Sequence, residues 1–176
     1  MRKNLYLFVL FFATGLQAQD EPVTSSQLSV NFMIPSLEGE IKTGTTSTLA
    51  LNLGTAFVYR KSTYTSGYAV FPTLQAQYRN YYNFNKRLEK GKKISENSGN
   101  YITALVDITS GNPILGDLES MADYAVFVGP AWGLQRIYNS GFKLNLNLGI
   151  GYGFKDLGDS YFAPLVGLQL GWLLSK

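Results

Sequence analysis

The amino-acid sequence predicts an all-β protein, an antiparallel up-and-down transmembrane β-barrel of eight strands, and three observations lead there. The first is alternation, clearest from Phe142 to Phe154. There Phe142, Leu144, Leu146, Leu148, Ile150, Tyr152 and Phe154 take one face, and Lys143, Asn145, Asn147, Gly149, Gly151 and Gly153 take the other. Only a β-strand has period two. The second is the character of the faces: the apolar one is flanked by aromatics and the other is polar or tiny, as in a strand between lipid and a barrel lumen. The third is a shortage of charge. Only 15% of the residues are Asp, Glu, Lys or Arg, against roughly 25–35% for a soluble surface. Beyond the N-terminal region no apolar run reaches the roughly 18 residues of a transmembrane helix. A membrane protein built from such a chain has to close into a barrel, because lipid offers its backbone no hydrogen bonds.

Arg2 and Lys3 precede an apolar run from Leu5 to Leu16, which ends at Gln17-Ala18-Gln19 before Asp20 and Glu21. This is the pattern of a secretory signal peptide, expected over residues 1–19, with one barrel domain over residues 20–176. Residues 1–19 hold two of the 15 Lys and Arg and none of the 12 Asp and Glu, leaving 13 against 12 in the rest. The basic pI therefore comes mostly from targeting sequence and implies no nucleic-acid partner. The absence of Cys excludes disulfides, a Cys-linked lipid anchor and thiolate chemistry.

Along the chain, Ser26 to Ile34 alternates, Pro35-Ser36 breaks the phase, and Leu37 and Ile41 then oppose Glu38, Glu40 and Lys42. This fits either one bulged strand or a short hairpin. Thr46 to Arg60 is a long strand with Leu49, Leu51, Leu53, Phe57 and Tyr59 on its apolar face. Lys61 to Ser66 is a loop, and Gly67 to Asn83 returns with Tyr68, Val70, Leu74, Tyr78 and Tyr82 opposite Gln75, Gln77, Arg79 and Tyr81. Asn85 to Asn97 is a polar, basic connection. Asn100 to Thr109 sets Ile102, Ala104, Val106 and Ile108 against Tyr101, Thr103 and Asp107, with Leu105 out of pattern.

Ser110 to Ser120, with its Gly, Asn and Pro, predicts the longest exposed loop. Asp123 to Tyr138 is a strand with Phe127 and Ile137 as misfits and Pro130 lacking a ladder donor. Asn139 to Gly141 is a tight turn, Lys155 to Ser160 a loop, and Tyr161 to Leu173 the last strand. Seven long strands result, or eight if Pro35-Ser36 is a turn, and the even number of bacterial single-chain barrels selects eight. Outer loops are then expected at Lys61, Ser110 and Lys155. Inner turns are expected at 42–46, 85–97 and 139–141.

A soluble lipocalin-like barrel would put the apolar faces inside, leaving Gly, Ala, Asn, Gln, Ser and Thr as its surface. The membrane reading instead places those small polar residues in a filled lumen. Tyr59, Tyr68, Tyr78, Tyr82, Tyr138, Phe142, Phe154, Phe162 and Trp172 near strand ends make two interfacial aromatic girdles. Within the lumen, Glu38, Glu40, Arg60, Arg79, Asp107 and Lys143 are expected to neutralise one another, since unpaired buried charges are costly.

The Ala18-Gln19 signal end, Tyr78-Arg79-Asn80-Tyr81-Tyr82-Asn83 followed by a basic turn, and the repeated Gly-containing amphipathic strands resemble the small OmpA/OmpX-type outer-membrane β-barrel proteins, especially the uncharacterised single-barrel proteins of Bacteroidota-like bacteria. The resemblance covers the chain from residue 20 onward. It extends to a terminal assembly signal, matched by Gly167, Leu170 and Trp172, with Leu173 to Lys176 running on beyond it. It implies the outer membrane of a Gram-negative cell envelope, with outer-membrane lipid and the barrel-assembly machinery as partners.

Chemistry is sparse. Without His or Cys, neither a Ser-His-Asp nor a Cys-His site is possible, and the sequence predicts no enzyme, no cofactor and no metal site. Gly149, Gly151 and Gly153 lack the fourth position and the helix of a dinucleotide fingerprint. The basic turn of Lys86, Arg87, Lys90, Lys92 and Lys93, opposed only by Glu89, reads as a solvated turn or as a contact for anionic envelope polymer. The expected role is structural or in surface interaction. A narrow solute pore and a soluble lipid-binding barrel are the alternatives.

Overall fold

The computed structural model describes residues 24–61, 66–118 and 120–176. The expected signal peptide and most of the Lys61 to Ser66 loop lie outside them. Strands β1 (Gln27–Asn31) and β2 (Ser36–Lys42) form a short hairpin, followed by β3 (Ser47–Lys61) and β4 (Ser66–Asn80). A short helix, α1 (Phe84–Leu88), precedes β5 (Asn100–Ser110) and the two-residue β6 (Leu115–Gly116). The last strands are β7 (Tyr124–Ile137), β8 (Phe142–Lys155) and β9 (Ser160–Ser175).

All are antiparallel members of one nine-stranded sheet. β6 pairs only with Ala69 and Val70 of β4. The other eight follow the order β3-β2-β1-β9-β8-β7-β5-β4, and β4 pairs back onto β3 to close a ring. The phase break at Pro35-Ser36 is thus a hairpin, with Val30 opposite Leu37 and Gln27 opposite Glu40. Two connections differ from expectation. The Asn85 to Asn97 connection begins with α1, and the Ser110 to Ser120 loop folds β6 back onto the sheet.

Side chains divide by parity as the alternation requires. Asn145, Asn147 and Lys143 of β8 are buried inside the ring, while Leu148, Ile150, Tyr152 and Phe154 are exposed outside. The misfits resolve by register. Leu105 and Ile137 are buried inside. Phe127 also points inward, and a Cβ on Gly151 would lie only 2.5 Å from its ring. Gly133 likewise leaves room for Tyr101, and Gly153 for Tyr161. A glycine beside each of these three rings lets a narrow wall hold them. At Gly129 and Pro130 the β7–β8 ladder is interrupted between Val128↔Tyr152 and Ala131↔Gly149, as a missing donor requires.

The wall is uneven in height. β1 pairs with β9 only from Leu28 to Asn31, against Gly171 to Ser175. β2 reaches β3 only from Ser36↔Gly54 to Lys42↔Thr48. Beyond the hairpin turn, residues 55–61 of β3 and 160–169 of β9 pair on one side only. The ring is complete around the end that holds α1 and both described termini, here the closed end, and is notched toward the other. Cysteines replacing Val30 and Trp172, outward-facing register partners across the β1–β9 seam, should form a disulfide on oxidation. The chain has no other Cys, so the absence of that crosslink would show an open seam.

Candidate functional site

Period two puts Glu38 and Glu40 on the same face of β2, and that face looks inward. Both side chains are 1% exposed. Arg79 Nη1, from β4, lies 2.9 Å from Glu38 Oε1 and 3.3 Å from Glu40 Oε2. Lys143 Nζ, from β8, lies 2.8 Å from Glu38 Oε1 and donates to Ser29 Oγ at 2.9 Å. Two carboxylates and two cations therefore cancel inside the ring. Glu40 is saturated. Tyr81 OH and Thr48 Oγ1 donate to its Oε1 at 2.7 and 2.6 Å, and Gln27 and Gln135 donate to its Oε2 at 2.6 and 3.1 Å.

A second layer of amides and rings surrounds the ions. The Arg79 guanidinium stands 5.0 Å from the centre of the Tyr101 ring and donates through Nε to Gln77 Oε1 at 2.9 Å. Tyr101 OH is 2.9 Å from both Asn145 Oδ1 and Asn147 Oδ1. Tyr81 stacks on Phe84 of α1 at 4.9 Å and meets Tyr101 edge-on at 5.2 Å. Phe84 and Tyr81 are 1% exposed and Tyr101 is fully buried, so ions and rings together plug the closed end. With every carboxylate oxygen of Glu40 engaged and Glu38 held by both cations, neither is available as a general base.

Of the six charged residues expected in the lumen, Glu38, Glu40, Arg79 and Lys143 meet. Arg60 does not: it is exposed near the far end of β3, where the wall rises beyond the hairpin. Asp107 also stands apart, higher in the interior. Gln75 Nε2 donates to its Oδ2 at 2.9 Å and Thr109 Oγ1 to its Oδ1 at 3.3 Å. Among the described residues it has no ion pair. Gln75 in turn accepts from Gln77, which accepts from Arg79 Nε. Asp107 therefore lies in the interior and meets the ions only through two amides, whereas Arg60 lies outside the network. Parity gives the face of a strand, and register gives the height.

Above the plug the interior is not filled. A cavity of about 380 Å³ is bordered by Met33 and Ile34 of the hairpin turn, the lower part of the β3 edge and Leu165 to Gln169 of β9, and it reaches inward to Asp107. The filled lumen expected from the sequence therefore holds only for the closed-end half, where strand number and the large plug side chains leave no room.

The aromatic residues form two outward bands. Tyr82, Tyr138, Phe142 and Trp172 lie near the closed end, where Phe142 sits 5.8 Å from Trp172 and 5.9 Å from Tyr138, and Tyr78 lies two residues inside the end of β4. Tyr59, Tyr68, Phe154 and Phe162 lie near the other end, all exposed. Trp172 Nε1 donates to the Ser140 carbonyl at 2.9 Å.

The basic turn is partly self-occupied. Arg87 caps the Lys93 carbonyl at 3.1 and 2.7 Å, and Lys93 Nζ is 2.7 Å from Glu96. Lys86, Lys90 and Lys92 are exposed. Glu96 also meets Lys176 at 2.8 Å, joining the turn to the end of β9. Burial works to raise the Glu96 carboxyl pKa, but hydrogen bonds from Lys176, Lys93 and Ser95 prevail and hold it down at about 2. The turn is further fixed by Asn97, at φ 55°, which exchanges hydrogen bonds of 2.7 and 2.8 Å with the Ser25 backbone.

No family model, curated protein or solved structure matches the chain.

Two outcomes follow from this geometry. Arg79→Ala leaves two buried carboxylates facing the single cation Lys143 and should cost about 3–5 kcal/mol, the usual range for breaking a buried ion pair from one side, read as an earlier unfolding transition in urea; an unchanged midpoint would mean that water enters the cluster. Glu96 has its pKa lowered by folding, so its contribution is whole above about 4.5 and is lost as pH falls toward about 2. Wild type should therefore lose stability across that window relative to Glu96→Gln, measured by denaturant midpoints at pH 6 and pH 3.

Proposed function

We propose that the chain is an integral β-barrel protein of a bacterial outer membrane, delivered by its N-terminal signal and serving a structural or surface-interaction role. The observation that carries this reading is the inversion of polarity around the ring. Outside, Leu53, Phe57, Ile102, Ile150 and Val166 are exposed, Phe57 by 65% and Val166 by 74%. Inside are the ions and amides. A soluble barrel requires the opposite arrangement, and a monomer rarely exposes apolar patches beyond a few hundred Å².

The dimensions agree. Phe162 and Trp172 are ten residues apart on β9, about 33 Å of strand at 3.3 Å per residue. With the usual tilt of about 35–45° the aromatic bands stand roughly 23–27 Å apart, near the ~25 Å apolar band of such barrels. The ionic and aromatic plug favours a closed barrel over a narrow pore, because Arg79, Tyr81 and Tyr101 are buried side by side across the closed end. Exposed Lys86, Lys90 and Lys92 suit contact with anionic envelope polymer at the closed end, and the barrel-assembly machinery is the partner expected during insertion.

Cell fractionation with boiled and unboiled gel samples tests the reading. Recovery in the outer membrane with a heat-dependent mobility shift is expected, whereas monomeric protein stable in buffer without detergent would sink it. As a second test, Leu148→Arg, outward at mid-strand, should cost about 2–4 kcal/mol in lipid and almost nothing if that face meets water.

A further inference from the structure

The notch in the wall and the cavity behind it form one feature. The hairpin turn is its sill, residues 55–61 of β3 and 160–169 of β9 are its jambs, and the cavity of about 380 Å³ opens between them. At the sill two strands separate β3 from β9, so three inter-strand spacings, about 14 Å, divide the jambs. In a membrane barrel this gap faces lipid.

The edges themselves indicate what can stand there. The Leu170 carbonyl accepts from Phe32 across the seam at 2.9 Å, so the even-numbered backbone groups of β9 point into the notch. The Ser47 carbonyl accepts from Thr43 and Gly44, so the odd-numbered groups of β3, including Phe57 and Tyr59, do the same. Unpaired backbone at membrane depth is tolerated only against protein or a wet cavity. Pro164 falls at an even position, where its missing N–H would have faced the notch. Proline at such a place is a device against strand addition. The gap is therefore better suited to a ligand and water than to another strand.

The interior wants hydrogen-bond donors. Asp107 reaches the cavity with amide and hydroxyl neighbours and, among the described residues, no cation within ion-pair distance. Gln169 Oε1, also at the cavity, is a buried acceptor without a partner among the described residues. Among the described residues the notch-facing N–H groups of Phe57, Val166 and Leu168 have no ladder partner, which suits them to phosphate oxygens, and the outward side chains of the same residues are apolar.

We propose that the notch is a lateral opening through which a zwitterionic phospholipid seats its headgroup, with the ammonium at Asp107, the phosphate at the free edge amides and the acyl chains left in the bilayer. This rests on the membrane-barrel reading, so it is tested on full-length protein that already shows the heat-dependent mobility shift; protein without that shift refutes both readings.

Native mass spectrometry from detergent, with phosphatidylethanolamine, phosphatidylglycerol or chain-free glycerophosphoethanolamine added, reads retention directly. Phosphatidylethanolamine should be held about tenfold more tightly than either other probe, the scale of one charge-assisted hydrogen bond. Asp107→Asn should remove that preference, and Ala56→Trp, which fills the cavity, should abolish retention, both with the mobility shift intact. Equal retention of the two lipids, or wild-type retention by either variant, overturns the proposal. Retention of the chain-free headgroup as tightly as the lipid overturns lateral access in favour of a free amine. A stoichiometric polypeptide that protects the Phe57 and Tyr59 amides from exchange overturns it in favour of strand addition.

Discussion

The four-charge cluster of Glu38, Glu40, Arg79 and Lys143 is the constraint on which the closed end depends. The β1–β2 hairpin has strands of five and seven residues, and an isolated hairpin of that size is marginal in water. What secures it is its neighbours on both sides and the ions within. Arg79 and Lys143 arrive from strands on different parts of the ring, and both require the Glu38 side of β2 to face inward. A one-residue slip of β2 would turn both carboxylates outward and leave two buried cations unpaired. The ion pairs thus act as a register lock as well as a filling for a narrow interior.

Around that lock, polar and aromatic groups share one task, to fill space without leaving a dipole unanswered. Tyr81 and Tyr101 supply bulk and also a hydroxyl, so each closes part of the cross-section while bonding Glu40 or the Asn145–Asn147 pair. Phe84 is brought beneath them by α1, as a lid that a plain turn could not provide. Neighbouring glycines make room for these rings: Gly133 on the adjacent strand for its register partner Tyr101, and Gly99 for Tyr81 and Phe84. Higher up, Phe71, Phe127 and Tyr161 also turn inward, but the wall is notched there and the cavity begins.

Much of this was legible in the sequence because a strand declares its faces by parity alone. The eight ring strands, the direction of the Phe142 to Phe154 faces and the meeting of Glu38 and Glu40 with Arg79 and Lys143 all follow from it. Relative height was not legible. Arg60 and Asp107 have inward parity, yet register puts Arg60 at the exposed end of β3 and lets Asp107 reach Arg79 only through Gln75 and Gln77. The reason for inward Leu105, Phe127 and Ile137 is equally a matter of cross-strand partners. The notch depends on the length of β1 and β2 relative to β3 and β9, a comparison between strands that no single segment contains. α1 and β6 were hidden because tertiary contacts, Phe84 with Tyr81 and Gly116 with Ala69, stabilise segments whose local composition reads as loop.

The β1–β9 seam has a kinetic meaning as well. It joins Asn31 to Gly171, 140 positions apart, whereas every other junction of the ring links strands near in sequence. Closing a loop of that length costs about 4 kcal/mol in chain entropy beyond the constant term, and contacts of such separation form late and slowly. The seam is only four residue pairs long, so little enthalpy is gained until all of it is in place. Sequential zipping of the hairpins from β3 to β9 would shorten that loop beforehand and leave the short β1–β2 arm to meet β9 as a latch. Whatever holds the growing sheet open before that moment must shield its two free edges, and the rate at which the latch finds β9 governs how long that shielding is required.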